Sequence, residues 1–452
     1  MHRLYLFIFS VFAPVVGQAQ DLSQKQAAED LLYLKKELEA YHPGMYRYTG
    51  KDSIDWYFQT TLDQIQETDQ IGFFASVSFL VNKLRCGHTQ VLLPEKDQST
   101  FLENQLFIPL EISAVNGKWF VFNASLTGDQ LKSGDELVSV NGLKMDEIVR
   151  RIFEHQSADG YITTGRLRLT EQFFPYFYQL FVARGTTSFQ VEVSSNTGLK
   201  TIVLPGVSCT IIRAMRRPFQ QPPQLVLRHE ASYSYMKINT FSSRALSDAG
   251  LNYERFLAES FRELKQKEAQ TLVIDLRGNG GGDDNYGAAL VAYLARNPFR
   301  YFERIEVTES YSGYGNIVRE KGRRLMTSHK GLDEWKPEAQ RFRGKVYVLI
   351  DGWSFSTCAD VAAVLHHNEW ATLVGEESGG GYDGNTSGST RTLILPHSGL
   401  RVNLPMWMYT TANSGHPYHG RGVIPHHRVS YTLQQLMREE DAVMEKVKSL
   451  IK

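Results

Sequence analysis

Apolar positions fall into three successive patterns along the chain. From residue 22 to 88 they recur at helical spacing. Leu31, Leu34 and Leu38 form one face of a helix that opens on Ser23-Gln-Lys-Gln26 and stops at Tyr41-His-Pro-Gly44. Serine with glutamine three residues on is a capping box, and proline cannot continue the last turn. Further helices are expected near 53–67 and 71–84, then a turn at Cys86-Gly-His-Thr89 and a strand, Gln90-Val-Leu-Leu-Pro94. From 105 to 205 the pattern alternates as strands do. Phe189-Gln-Val-Glu-Val193 and Lys200-Thr-Ile-Val-Leu204 read as a hairpin, and the proline-bearing stretch Arg213 to Gln224 reads as a linker. Beyond 225, strands are expected near 232–240, 271–276, 345–351 and 371–375, and helices near 250–267, 284–296 and 357–367. That alternation predicts an α/β core with largely parallel pairing. A hairpin follows at 391–397 and 400–408, and a last helix is capped at Thr432 with Gln435 completing its box. The polar, basic stretch 305–342 reads as a solvated loop, with a lid as its alternative.

A chain of 452 residues accommodates two or three domains. Its 49 basic and 49 acidic residues balance, which gives no electrostatic ground for a nucleic-acid or anionic-membrane partner. At the N-terminus, His2 and Arg3 precede an apolar run from Leu4 to Val16 and then Gly-Gln-Ala-Gln20, the make-up of a secretory signal over residues 1–20. The run is too short to span a bilayer comfortably, no cysteine follows it to carry a lipid, and no later run reaches spanning length. The expectation is a periplasmic or secreted protein with no membrane span after signal cleavage. Three cysteines are an odd number and make no disulfide framework; buried thiols are expected, with a Cys86–Cys358 pair left open.

Candidate chemistry sits at two strand-to-helix corners. In Val346-Tyr-Val-Leu-Ile-Asp-Gly-Trp-Ser-Phe-Ser356-Thr-Cys, an apolar strand turns at glycine and delivers Ser356 to a helix N-terminus. Free N–H groups there suit a nucleophilic serine with an adjacent oxyanion hole, although a plain N-cap serine has the same sequence. The second corner is Thr271-Leu-Val-Ile-Asp-Leu-Arg-Gly-Asn-Gly-Gly-Gly282. It lacks the Gly-Lys-Ser/Thr ending of a phosphate loop and the spacing of a dinucleotide site. Donation to an oxyanion fits it, with Thr357 and one of Gly280, Gly281 and Gly282 as donors.

Together, Asp275-Leu-Arg-Gly-Asn-Gly-Gly-Gly282, the Ser356 corner and Leu373-Val-Gly-Glu-Glu377 resemble the S41 serine peptidases, the C-terminal processing, tail-specific and tricorn-type proteases. The resemblance extends from Cys86-Gly-His-Thr89 to His419-Gly-Arg-Gly-Val-Ile-Pro425 and covers roughly residues 25–450. It implies a ClpP/crotonase-like α/β core over 225–452, an N-terminal helical domain over 21–95 and a PDZ-like β domain over 100–210. Leu131-Lys-Ser-Gly-Asp-Glu-Leu-Val-Ser-Val-Asn-Gly142 resembles the PDZ strand-turn signature, without a clear carboxylate-binding loop. A PDZ domain binds chain ends by β-augmentation. The activity implied is peptide hydrolysis through an acyl-enzyme on Ser356, with protein or peptide as substrate and no cofactor.

The base separates two branches. The processing branch places a lysine shortly after Gly-Glu, where this chain has Gly381, and no lysine occurs between Lys345 and Lys446. The tricorn-type branch uses a histidine from an upstream turn, which His88 matches, although Gly87 stands where that branch has a hydroxyl. Imidazole titrates near neutrality and can take a serine proton. The family's terminal Glu-Gly-x-Gly-Val-x-Pro-Asp has histidine at both acids here, His419 and His426. The third member of a triad is therefore open among Glu376, Glu377, Asp383 and His419. His416, His419, His426 and His427 match no zinc spacing, so no metal is expected. Asp275 and Arg277 read as residues that hold their loop. The alternative function is a catalytically weak or inactive peptide-binding or scaffold homologue on the same fold.

Overall fold

The structure is a computed structural model that describes residues 21–195, 198–215, 223–413 and 419–452. The secretory-signal reading of residues 1–20 and His416 lie outside the described residues. Helix Gln24–Tyr41 begins at the expected capping box, with Ser23 and Gln26 bonding each other's backbone, and buries Leu31, Leu34 and Leu38 completely. Helices Lys51–Gln64 and Gln70–Lys83 follow, and strand Gln90–Leu92 pairs with Arg401–Leu404 of the late hairpin Arg391–Ile394/Arg401–Leu404.

Residues 111–205 carry an antiparallel sheet in the order 111–115, 118–123, 136–140, 188–195, 198–205. Inserted in it are helices Met145–Phe153 and Thr164–Phe177, which the alternating pattern did not announce. The first buries Met145, Ile148 and Ile152 at three- and four-residue spacing while its charges face solvent. The second is kinked at Phe173, two residues before Pro175. It also covers one sheet edge: Glu171 accepts the Ser113 hydroxyl and the Ala114 N–H, both at 2.8 Å. The Ala114 N–H is thereby taken from any strand added at that edge. A single apolar core runs through the N-terminal helices, this sheet and the 391–404 hairpin.

The second half is built on a six-stranded sheet in the order 427–428, 372–375, 345–350, 271–275, 234–238, 225–229. All neighbours are parallel except the outer pair 225–229/234–238. Strand Thr271–Asp275 is buried throughout, as expected where both faces are covered. Leu272, Ile274, Val348 and Ile350 pack under the helices Tyr253–Gln266, Asp284–Ala292 and Thr357–His367. Val273, Tyr347 and Leu349 meet Val443, Met444 and Val447 of the terminal helix on the other face.

Two expectations change. The Thr432–Gln435 box caps only Leu433–Met437; the terminal helix restarts at Ala442 with Asp441 as its cap. The 305–342 stretch is ordered by the hairpin Ile317–Glu320/Arg323–Met326, which extends the antiparallel sheet built on Phe302–Val307 and Trp407–Thr411. All three cysteines are free and buried, which settles the Cys86–Cys358 question. No helix among the described residues is long and apolar enough to cross a membrane.

Candidate active site

Strand Lys345–Ile350 ends at Asp351, and the next five residues form a tight corner. Asp351 accepts the N–H groups of Gly278 and Trp353, both at 3.0 Å, which joins the serine corner to the glycine-rich turn. Ser354 is fully buried and donates to the Leu276 carbonyl at 3.1 Å, so its hydroxyl is structural. The Phe355 N–H donates to the Asn279 carbonyl at 3.1 Å. Ser356 then sits half-exposed at φ 55°, ψ −133°, a conformation that costs an L-residue about 1–3 kcal/mol. Its side chain makes no cap bond to the helix it precedes. It stands at the N-cap position but does not spend its hydroxyl on capping, the role its sequence position also permitted.

The glycine-rich turn lies against it. A Cβ at Gly281 would fall 2.7 Å from the Ser356 Cβ and 3.0 Å from the Thr357 nitrogen. Only glycine fits so close an approach, at φ +94°. The Gly281 N–H is already bonded to Asn279 Oδ1 at 2.8 Å, so this residue's part is steric rather than that of a donor. No hydrogen bond among the described residues uses the N–H of Gly280 or of Thr357. Those two remain as oxyanion donors. Thr357 is fixed by its hydroxyl, which lies 2.8 Å from Asp284 Oδ1 and 3.0 Å from the Gly282 carbonyl.

His88 reaches the same corner from the other half of the chain. Its ring stacks on that of Phe355, with centroids 4.6 Å apart and planes at 28°. No hydrogen bond joins His88 to Ser356, and Nδ1 is buried without a partner. Burial pushes the imidazole down to about 3, so it is neutral at physiological pH. The turn that carries it is held by Asp159, whose Oδ1 accepts the Gly87 N–H at 2.8 Å. A Cβ at Gly87 would lie 2.8 Å from the Phe355 ring and 3.3 Å from Asp159 Oδ1, so the hydroxyl residue of the tricorn-type branch has no room there.

The acids named from the sequence lie elsewhere. Glu376 is paired with Arg168, which also binds Glu171 at 2.7 Å. Glu377 takes a two-point bond from Arg421 and the Gly422 N–H at 2.9 Å. His419 bonds Asp383 at 3.0 Å beside Tyr48, and Asp383 also accepts from Tyr48 and Arg47. These are ion pairs and loop ties, and none reaches His88. Asp275 and Arg277 form a two-point pair that Asp441 extends. Burial alone would raise Asp275, but Arg277 and Lys237 hold it down to about 2. No group of three or more metal-binding side chains occurs among the described residues.

Residues 232–429 match the model of peptidase family S41. Mature CPAF has a similar fold over 95% of this chain and 97% of its own, with TM-score 0.67 and 14% identity. Mature CPAF complexed with lactacystin aligns at TM-score 0.64 and 15% identity over 95% and 98% of the two chains. The photosystem II D1 C-terminal processing protease aligns at 0.44 and 15% over 91% and 96%. No curated protein matches the sequence.

Proposed function

From the membership of residues 232–429 in peptidase family S41, a family of serine-type peptidases, we propose that this chain is an exported serine endopeptidase. Ser356 Oγ attacks the scissile carbonyl, and His88 takes its proton. The N–H groups of Gly280 and Thr357 receive the charge that develops on the carbonyl oxygen. The leaving amine is protonated by His88, and water then releases the acyl group from Ser356. Free donors fixed beforehand need no reorganisation as charge appears, and losing one costs a serine hydrolase about 10²–10³ in turnover. The observation that carries this reading is the backbone of Ser356: a strained non-glycine residue at a helix N-terminus, with its side chain unspent on capping. In the same turn Ser354 is wholly committed to structure.

A fluorophosphonate probe tests the reading. It should label the wild-type protein at Ser356 and leave Ser356→Ala unlabelled, while both fold alike. Equal labelling of the two, or no labelling of either alongside intact peptide binding, would favour the scaffold alternative. Export is tested separately by the N-terminal residue of the mature protein, expected close to position 20.

A further inference from the structure

Resting on that reading, we propose that Asp159 is the positioning carboxylate of His88, in place of the acids that the end of this chain lacks. Three hydrogen bonds stitch the loop around Asp159 to the turn that carries His88. Gly87 N–H donates to Asp159 Oδ1 at 2.8 Å, Ser157 Oγ donates to the Thr89 carbonyl at 2.7 Å, and Gly160 N–H donates to the Arg85 carbonyl at 2.9 Å. The backbone of Gly381, the position where the processing branch has its lysine, lies near Asp159 and favours its ionised form. The carboxylate thus holds the histidine turn beside the loop whose Gly380 packs against Ser356, a Cβ there falling 2.9 Å from the serine nitrogen.

Two atoms in this corner are left over. Asp159 is 2% exposed, and its Oδ2 is buried with no partner. His88 Nδ1 is likewise buried with no partner. A buried carboxylate oxygen and a buried imidazole nitrogen, each without a protein partner, are individually costly and mutually complementary. They are not bonded to each other in this structure. The proposed contact requires the imidazole to turn off the Phe355 ring, so that Nδ1–H donates to Oδ2 and Nε2 faces Ser356. Hydrogen bonds at catalytic centres commonly tighten only in the substrate complex.

The proton count is simple. Ser356 Oγ–H passes its proton to Nε2 as the O–C bond to substrate forms. Nδ1–H stays on the ring, and the imidazolium so made is balanced by the Asp159 carboxylate. Nε2 then returns the proton to the leaving amine. The titratable groups around Asp159 are Arg47 and Tyr48 from the turn after the first helix, Asp383 from the late loop, Asp360 from the helix Thr357–His367, and the Cys86 thiol, which burial keeps protonated. Arg47 favours the ionised carboxylate and Asp383 opposes it.

The test is Asp159→Asn, which keeps the acceptor for Gly87 but removes the charge. Peptide turnover and phosphonate labelling are measured from pH 4 to 9 for wild type, Asp159→Asn, His88→Ala and Ser356→Ala. Asp159→Asn should still label at Ser356 but turn over roughly 10²–10⁴-fold more slowly, as when a triad carboxylate is replaced by its amide. Its acid limb should also move relative to wild type, which a purely structural role would not do. Turnover within twofold of wild type with an unmoved limb overturns the proposal. If Asp159→Asn does not fold, the wild-type phosphonate adduct decides: a low-field Nδ1–H proton, absent in His88→Ala, is expected, and its absence overturns the assignment. A wild-type chain that labels no more than Ser356→Ala overturns the functional reading itself, a different result from a slow variant that labels.

Discussion

At the scale of single residues, the backbone of Ser356 separates two roles that one side chain fills. Its φ of 55° suits glycine, yet only serine offers a hydroxyl. Ser356→Gly should therefore raise the melting temperature above that of Ser356→Ala while both lose phosphonate labelling. The gain expected is the strain, about 1–3 kcal/mol. A Ser356→Gly protein no more stable than Ser356→Ala would show that the corner is unstrained. Gly281→Ala should fail in the opposite way. Its Cβ would meet the Ser356 Cβ at 2.7 Å, against backbone that cannot retreat, so both stability and labelling should fall. Labelling of Gly281→Ala at the wild-type rate would refute that close packing.

At the scale of elements, the terminal helix is fastened at its first turn. Asp441 caps it by accepting the Met444 N–H at 3.0 Å, and binds Arg277 from the glycine-rich turn at 2.7 Å. Asp441→Ala should cost about 1–2 kcal/mol through the cap alone. Arg277 keeps Asp275, so the glycine-rich turn should hold its shape and phosphonate labelling should persist. Chemical denaturation and labelling of the same variant check the two halves of that statement. Loss of labelling at unchanged stability would mean that Asp441 acts on the site and not on the helix. The same element shows how sequence can mislead. The Thr432–Gln435 box is correctly read and both bonds form, but the helix it starts lasts from Leu433 to Met437. A cap announces a beginning and is silent about length, which tertiary packing of Val443, Met444 and Val447 decides.

At the scale of the whole molecule, buried carboxyls and buried histidines set the pH response together. Burial pushes Asp159 and Asp284 up to about 6, and Asp360 well above its ordinary value. An acid whose folded pKa is raised stabilises the fold only while protonated in it. That contribution is present below the unfolded value near 4 and is lost as pH rises through 6. Asp275 acts oppositely: held down to about 2, it stabilises the fold above pH 4, and that support is lost as pH falls through 2. Buried His42 and His88, held down to about 4 and about 3, also act opposite to the raised acids: their support is present above the unfolded value near 6.5 and is lost as pH falls. The share of one acid is therefore read against its own variant, and wild type relative to Asp284→Asn should lose melting temperature as pH rises from 4 to 6. A difference between wild type and Asp284→Asn that stays constant from pH 4 to 7 would refute it. Turnover, which in the proposed chemistry needs an ionised Asp159, should rise over the same interval in which that acid's contribution to stability is lost.

The sequence by itself determined what repeats locally or is demanded by one corner. The period of apolar residues set most helices and strands, because each face must be buried at its own spacing. Strand, glycine turn and helix placed Ser356 and the glycine-rich turn, because only those residue types permit that backbone. Where alternation was followed too far, the helices Met145–Phe153 and Thr164–Phe177 went unread, since short amphipathic stretches beside strands share enough of both periods. Tertiary structure alone decided which charges meet. Glu376, Glu377 and His419 stand at positions in sequence that suit a triad, yet Arg168, Arg421 and Asp383 claim them. Asp159 had no local signal, being a lone acid in a turn far along the chain from His88. What brings it there is the bonding of two loops from different parts of the chain, Gly87 to Asp159 and Gly160 to Arg85. A carboxyl's pKa, partner and use are properties of what surrounds it in space, and neighbours in sequence do not specify that surrounding.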